Sequence, residues 1–139
     1  MGRLATISTC QLDQWALDFD GNRDRILEAI RQAKAAGSKL ILTPELCIPG
    51  YGLLDHFQEL DTFTHSWEVL AEIISSPDAQ DIIIDLGLPI RHNDVPHNGR
   101  VLALNGKILA IRPKIDLCND GNYREMRYFT PWTRYRVDS

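Results

Sequence analysis

The stretch Leu40-Ile-Leu-Thr-Pro-Glu-Leu-Cys-Ile-Pro-Gly-Tyr-Gly52 decides the fold. Its first three residues are apolar and predict a short buried strand. Two prolines and two glycines follow, and they predict an irregular loop. In layered α/β proteins such loops, at the carboxyl ends of strands, usually carry the chemistry. Glu45, the acidic residue of this loop, is therefore a candidate functional residue.

The residues before this stretch predict a strand followed by a helix. Leu4 to Cys10 is rich in β-branched and apolar residues, which favours a first strand. From Asn22 onward apolar residues recur at helical spacing, namely Ile26, Ile30 and Ala33. Asn22 suits the cap that begins a helix, and Gly37 suits the left-handed residue after its end. Strand, helix and strand in this order are typical of a parallel βαβ unit.

The residues after it predict a second helix and three more strands. The helix runs from about Thr62 to Ser75, and its apolar stripe indicates core contacts rather than a cofactor site. Asp81 to Leu88 reads as a buried strand. Asn105-Gly106 separates two apolar runs, Arg100 to Leu104 and Lys107 to Ile111, and predicts a hairpin with a type I′ turn. The tail from Ile115 to Ser139 shows no sustained period and predicts loops with short helical turns.

Length and composition exclude several classes of protein. A chain of 139 residues is the usual size of one domain. Its net charge of -4 offers no excess positive potential, so we expect no nucleic-acid partner. The longest apolar runs are far shorter than the roughly 18 residues of a membrane span, so we expect no membrane partner.

The cysteines and histidines argue against disulfide and metal sites. The three cysteines, Cys10, Cys47 and Cys118, are odd in number and lack C-x-x-C spacing. We therefore expect a reducing compartment and a cytoplasmic location. The four histidines show neither H-x-x-x-H nor H-E-x-x-H spacing, so we expect no metal site.

Three blocks of sequence, taken in order, resemble the nitrilase superfamily of carbon-nitrogen hydrolases. They are Thr43-Pro-Glu45-Leu with Gly50-Tyr51-Gly52, then Arg112-Pro-Lys114, then Glu125-Met-Arg127-Tyr-Phe129. Finer blocks look like the glutaminase domain that begins eukaryotic-type glutamine-dependent NAD synthetases. Those blocks are Gln14 to Phe19, Ser76 to Ile83 and Gly121 to Trp132.

The resemblance implies a fold and a set of catalytic roles. The fold would be α/β, the first half of a four-layer αββα sandwich. Glu45 would be the general base, Lys114 would stabilise the charged tetrahedral intermediate, and Glu125 would orient the lysine and the substrate. Tyr51 and Tyr123 would line the substrate pocket.

The same resemblance implies a nucleophilic cysteine, and the family's cysteine follows a strand well beyond the lysine block. The sequence reaches Ser139 before any such strand. We therefore expect residues 1–139 to be an incomplete, truncated carbon-nitrogen hydrolase domain, inactive alone and without the synthetase domain. Cys47 and Cys118 lie near the other two residues in sequence, but reactive thiols need a particular microenvironment. We expect neither to replace the nucleophile.

The implied ligand is glutamine, whose ammonia would serve ATP-dependent NAD synthesis from deamido-NAD. We expect no cofactor in this chain, and ATP and magnesium only for the absent synthetase domain. Half of a sandwich leaves one sheet face bare, so we expect homo-oligomers or pairing through that face.

Two alternatives remain open at this point. One is a non-catalytic chain that acts as a regulatory or interaction partner. The other is an amidase of another nitrilase branch, which would share Glu45, Lys114 and Glu125. The block from Gly121 to Trp132 argues against the second alternative.

Overall fold

The structure is a computed structural model that describes residues 4–133. A five-stranded sheet and two long helices form its main body. The helices are α1 (Phe19–Ala35) and α2 (Leu60–Ser75). The strands of the main sheet are β1 (Ile7–Thr9), β2 (Leu40–Leu42), β3 (Ile83–His92), β4 (Val95–Leu104) and β5 (Lys107–Pro113). A two-stranded ribbon follows, β6 (Asn119–Asp120) and β7 (Tyr123–Arg124).

The sheet has the order β1-β2-β3-β4-β5, which is also the order of the strands along the chain. The first three strands are parallel, and β3, β4 and β5 are antiparallel. The predicted βαβ unit is therefore confirmed, because α1 connects β1 to its parallel neighbour β2. The prediction of a mixed α/β fold is confirmed as well.

One face of the sheet forms the core with both helices. Its side chains are at most 1% exposed, and they are Ile41, Ile84, Leu86, Leu88, Val101 and Ala103. Ile26 and Ile30 of α1 and Leu70 and Ile73 of α2 pack against them. Each fully buried aliphatic side chain stabilises the fold by about 1.5–3 kcal/mol relative to an exposed one. This face therefore holds most of the apolar burial.

The opposite face, here called the open face, is covered much less by residues 4–133. It consists of the alternate residues of the same strands: Leu40, Leu42, Ile83, Asp85, Arg100, Leu102 and Leu104. Its leucines are only half-buried. The prediction that this face pairs with another surface agrees with its composition and stays a prediction.

The predicted beginning of the first helix is wrong. The helix begins at Phe19, and the cap is Asp18, whose carboxylate accepts a hydrogen bond of 3.2 Å from the Gly21 amide. Asn22 lies inside the first turns and is fully buried. Its side chain bonds to the loops around the helix instead of to the helix end. The predicted left-handed Gly37 after the helix is confirmed, with a φ of 78°.

The third strand extends past its predicted end at Leu88 to His92. Pro89 suggests a strand end because it has no N–H group to donate. However, β2 pairs with β3 only at Ile83, Ile84 and Asp85. At Pro89 the edge of β3 that faces β2 therefore has no neighbouring strand. The missing donor therefore costs no hydrogen bond there.

The predicted hairpin between β4 and β5 is confirmed. Asn105 and Gly106 have φ values of 49° and 74°, as a type I′ turn requires. Short 3₁₀ turns interrupt the loops at Leu54–Gln58, Pro77–Ala79 and Glu125–Arg127. The predicted tail thus contains a ribbon and one helical turn as far as residue 133, and its last six residues lie outside the described part. Between residues 4 and 133 there is no helix with the length and apolarity to cross a membrane.

Gly87 of β3 lets the loop that carries Glu45 lie directly on the sheet. A Cβ atom at Gly87 would lie 2.5 Å from the Leu46 nitrogen and 2.8 Å from the Pro44 oxygen. We predict that Gly87→Ala destabilises the protein by roughly 1–3 kcal/mol, the usual cost of overpacking. The midpoint of thermal unfolding should fall accordingly.

Gly52→Ala is the matched control for this prediction. Gly52 belongs to the same loop, but a Cβ atom there would meet no atom within 4 Å. We expect the midpoint for this variant to stay within about a degree of wild type, since open surface positions tolerate substitution. Equal destabilisation by the two variants would contradict the proposed contact.

Candidate active site

Side chains from four separate segments meet at one end of the sheet. Glu45 stands in the loop after β2, and Lys114 directly follows β5. Asn98 belongs to β4, and Glu125 begins the 3₁₀ turn after β7. The backbone brings two of these residues together, because the Lys114 amide donates a hydrogen bond of 2.7 Å to the Asn98 carbonyl. The site thus depends on the pairing of β4 with β5.

The Lys114 ammonium lies between two carboxylates. Its Nζ atom is 2.7 Å from Oε1 of Glu45. The same nitrogen is 2.9 Å from Oε2 and 3.2 Å from Oε1 of Glu125. The two shorter distances, 2.7 and 2.9 Å, are those of strong charge-assisted hydrogen bonds. The structure therefore brings together all three residues that the sequence predicted for catalysis.

The two carboxylates differ in their access to solvent. The Glu45 side chain is 39% exposed, whereas that of Glu125 is only 5% exposed. A buried carboxylate is stable only when hydrogen bonds replace its water. Glu125 has these bonds: it accepts from the Tyr51 hydroxyl at 3.0 Å and from the Cys118 amide at 2.8 Å. Glu125 is thus held in place, while Glu45 remains accessible to a ligand.

Asn98 is a further member of the site that the sequence did not reveal. Its side-chain nitrogen donates to Oε1 of Glu45 and, at 3.4 Å, to Oε1 of Glu125. The residue is buried, with 2% of its surface exposed. The predicted strand began only at Arg100, so Asn98 lay outside every predicted element. The only sequence feature that could have indicated Asn98 is its position just before Gly99 and the predicted strand, and this is a weak indication.

The pKa values follow from these contacts. Burial by itself lowers the pKa of the Lys114 ammonium, but the hydrogen bonds to Glu45 and Glu125 outweigh burial and raise it. Burial by itself raises the pKa of Glu125, but the hydrogen bonds that it accepts from Lys114, the Cys118 amide and the Tyr51 hydroxyl hold it below its usual range. Lys114 is therefore charged and Glu125 ionised at neutral pH.

The two predicted pocket tyrosines lie side by side. Their ring centroids are 6.0 Å apart. Burial raises the pKa of the Tyr51 phenol, and its hydrogen bond to Glu125 raises the pKa further. Tyr51 therefore remains a donor at neutral pH. The Tyr123 ring is 57% exposed and contacts Tyr51 at the edge of the cluster.

A cavity of about 410 Å³ opens beside the charged cluster. It is lined by Glu45, Asn98, Gly99, Arg100, Arg112, Pro113, Lys114, Ile115 and Asp116. The two tyrosines do not line this cavity. Tyr51 contacts the cluster through Glu125, and Tyr123 contacts Tyr51. The prediction that they bind substrate thus stays a prediction.

A second ion pair supports the segment that leads to Glu45. Arg100 Nε lies 2.6 Å from Oδ1 of Asp85, which is 8% exposed. A terminal nitrogen of Arg100 donates to the Thr43 carbonyl at 2.8 Å. The guanidinium therefore connects β4 and β3 with the end of β2. The sequence predicted neither residue, because both belong to apolar strand segments.

The three cysteines occupy different surroundings. Cys47 is buried in the core, where its thiol contacts the Thr43 hydroxyl at 3.1 Å and burial raises its pKa. Burial also raises the pKa of Cys10, to about 11. Both thiols are therefore protonated at neutral pH, as expected for inert cysteines. Cys118 is exposed, and its amide rather than its thiol bonds to Glu125.

Residues 4–133 contain no group of three or more histidine, cysteine, aspartate or glutamate side chains arranged to hold a metal ion. The acidic residues of the site are instead paired with Lys114 and Asn98. The cluster thus has the composition of an acid-base and oxyanion-stabilising site.

Comparison with known proteins shows which family this chain belongs to. Residues 6–138 match the carbon-nitrogen hydrolase family. The chain is 57% identical over 134 residues to the glutamine-dependent NAD(+) synthetase of Saccharomyces cerevisiae, with 96% of this chain and 19% of that protein covered. It is also 57% identical over 136 residues to the human glutamine-dependent NAD(+) synthetase, with 98% and 19% covered. The chain thus spans about one fifth of the length of the curated relatives it matches.

Solved structures agree with this assignment. A glutamine-dependent NAD(+) synthetase from Cytophaga hutchinsonii superposes with a TM-score of 0.88 at 35% identity, over 94% of this chain and 22% of that chain. An amidase from Nesterenkonia sp. superposes with a TM-score of 0.77 at 25% identity, over 92% and 48% of the two chains. The family match, residues 6–138, includes the segments that carry Glu45, Lys114 and Glu125. The chain belongs to the carbon-nitrogen hydrolase family.

Proposed function

We propose that this chain provides the base and the oxyanion-stabilising lysine of a glutamine amide hydrolase. The observation that carries the proposal is the Lys114 ammonium held at 2.7 Å from Glu45 and 2.9 Å from Glu125. Sequence identity of 57% to glutamine-dependent NAD(+) synthetases favours glutamine as the amide. The released ammonia would then serve ATP-dependent NAD synthesis from deamido-NAD. We assign neither ATP nor magnesium to this chain, because the family resemblance implies them only for a synthetase domain.

Glu45 is the general base of this proposal. It is the more exposed of the two carboxylates, so a substrate and a nucleophile can reach it. A thiol with a pKa near 8.5 is a weak nucleophile at neutral pH until a neighbouring base takes its proton. Glu45 receives that proton, and the thiolate attacks the amide carbon. Glu45 then returns the proton to the departing ammonia, and water hydrolyses the resulting thioester.

Lys114 stabilises the negative charge that develops on the amide oxygen. A fixed ammonium in a partly dehydrated site needs no reorganisation when this charge appears. Glu125 holds the ammonium through its hydrogen bonds from Nζ, and Asn98 in turn donates to Glu45 and Glu125 and so holds the two carboxylates. Glu125 is thus a positioning residue for Lys114 in this proposal.

The nucleophile comes from outside the described residues in this proposal. Cys10 and Cys47 are protonated, and they are half-buried and fully buried respectively. No hydrogen bond among residues 4–133 joins the Cys118 thiol to Glu45 or Lys114. The cysteine is assigned to the part of the domain that the longer relatives contain beyond the matched segment. That part of the domain would pack on the open face, whose leucines are only half-buried by residues 4–133.

One prediction of this proposal concerns Lys114 and is made for the whole protein encoded by the gene of this chain. Lys114→Ala should lower kcat for ammonia release from glutamine by about 10²- to 10³-fold, the typical effect of removing one oxyanion-stabilising group. Glu45→Gln should abolish measurable turnover, since no base remains for the thiol. A coupled glutamate dehydrogenase assay measures the released ammonia.

Lys107→Ala is the matched control. Lys107 is an exposed lysine at the other end of the same strand β5. Its removal should leave kcat unchanged. Wild-type protein that releases no ammonia from glutamine, or a Lys114→Ala variant with wild-type turnover, would contradict the proposed function.

A second prediction concerns the pH dependence. The carboxylates raise the pKa of Lys114 because they stabilise the ammonium form. Glu125→Gln removes one of them and should lower this pKa, so the alkaline decline of kcat/KM should begin at a lower pH than in wild type. Profiles of kcat/KM between neutral and strongly alkaline pH would show the shift.

Glu72→Gln serves as the control for this profile, because Glu72 pairs with Arg23 on the outer surface of the helices. Its alkaline limb should coincide with that of wild type. An alkaline limb that stays in place in Glu125→Gln, or moves to higher pH, would show that Glu125 does not control the lysine.

A further inference from the structure

The loop between Glu45 and Tyr51 is fastened to a second segment of the chain. This segment, Gln14 to Leu17, precedes helix α1 and is here called the clamp segment. The Leu17 amide donates to the Pro49 carbonyl at 2.9 Å. Gly50 has a φ of 92°, and a Cβ atom there would lie 2.8 Å from the Trp15 oxygen. The two backbones are therefore in direct contact.

Asn22 joins both segments to helix α1. Its side-chain nitrogen donates to the Ile48 carbonyl at 2.9 Å and to the Trp15 carbonyl at 2.8 Å. Its side-chain oxygen accepts from the Trp15 amide at 2.9 Å and from Arg25 at 2.7 Å. The residue is completely buried. All four hydrogen bonds that the amide can make are thus formed inside the protein.

Gln14 adds a parallel connection. Its side-chain nitrogen donates to the Cys47 carbonyl at 2.7 Å, and its side-chain oxygen accepts from Arg25 Nε at 2.9 Å. Two successive carbonyls of the loop, those of Cys47 and Ile48, are therefore held by side-chain amides. A buried carbonyl without a partner is unstable, so these bonds fix one conformation of the loop.

We propose that Asn22, assisted by Gln14, is a positioning residue that places Glu45 and Tyr51 for catalysis. Neither amide belongs to the charged cluster, and both act through the loop backbone. The Gly50 amide donates to the Leu46 carbonyl at 2.9 Å, which carries the restraint to the residue next to Glu45. Tyr51 follows Gly50 directly and reaches Glu125 with its hydroxyl at 3.0 Å. This inference rests on the proposed function for its kinetic consequence only.

The test uses the whole protein encoded by the gene and two independent readings. The first reading is kcat and KM for ammonia release from glutamine, calculated per folded molecule. The second is amide hydrogen exchange in the peptide that covers residues 43–52, where the Ile48 amide donates to Gly87 and the Gly50 amide to Leu46. The second reading does not depend on activity.

Asn22→Ala should lower kcat by about 10- to 100-fold, the scale expected when a catalytic group is displaced by up to an ångström. It should also accelerate exchange at the Ile48 and Gly50 amides selectively. Asn22→Asp retains the accepting oxygen but places a second oxygen against the Ile48 and Trp15 carbonyls, so it should behave like the alanine variant. Full activity of Asn22→Asp would overturn the proposal.

Ile30→Val is the matched control for stability. Ile30 belongs to the same helix and is fully buried in the core, but its aliphatic side chain makes no hydrogen bond to the loop. This variant should lower the unfolding midpoint yet keep wild-type kcat per folded molecule. An equal loss of kcat in Ile30→Val would show that general destabilisation explains the effect, and the positioning role would be wrong.

Gln14→Ala keeps the test decisive if Asn22→Ala does not fold. It removes the bond to the Cys47 carbonyl and leaves Asn22 in place, and it should lower kcat severalfold with faster exchange in the same peptide. Unchanged exchange there would overturn the proposal.

A wild-type protein without glutaminase activity would overturn the proposed function, and the exchange measurements would still decide whether Asn22 and Gln14 hold the loop.

Discussion

The attraction between the Lys114 ammonium and two carboxylates organises the site. Glu125 is almost completely buried, and a buried ionised carboxylate without a partner would be strongly unfavourable. Lys114, Tyr51 and the Cys118 amide together replace the water that Glu125 gives up. The more exposed Glu45 completes the surroundings of the lysine on the side that a ligand can reach.

The fold brings these groups together through strand ends. Lys114 directly follows β5, next to Asn98 of β4, and the hairpin between these strands sets their register. Glu45 comes from the loop that follows strand β2, and this loop lies on Gly87 of β3. Two supports hold this loop: the Arg100 guanidinium at its start and the Asn22 amide at its middle. The precision of the charged cluster thus rests on residues that never touch it.

The open face of the sheet is where the additional chain of the longer related proteins would pack in our proposal. One sheet face is closely packed by two helices, whereas the other has half-buried leucines and the Asp85–Arg100 pair. The matched amidase contains about twice as much chain as this one covers. In our proposal the additional chain of such proteins would cover this face and carry the nucleophile, so that the base and the thiol would meet only when both parts are present.

Much of this architecture was predictable from the sequence by itself. The βαβ order, the Asn-Gly hairpin and the ordered blocks around Glu45, Lys114 and Glu125 depend on local spacing, and local spacing is visible in a sequence. The start of α1 could not be predicted from the sequence, because Asp18 and Asn22 are equally good helix caps. Only the tertiary contacts of Asn22 show that Asn22 is not the cap.

Only the tertiary structure decided how the site is held together. Asn98, Arg100 and Asn22 are polar residues within strands or a helix, where a sequence does not show which loop a side chain will meet. The bonds from Asn22 to Ile48, from Asn98 to Glu45 and from Arg100 to Thr43 join residues 26 to 57 positions apart along the chain. The physical reason is that a residue's chemical type is a local property, whereas its hydrogen-bond partner depends on how distant segments pack.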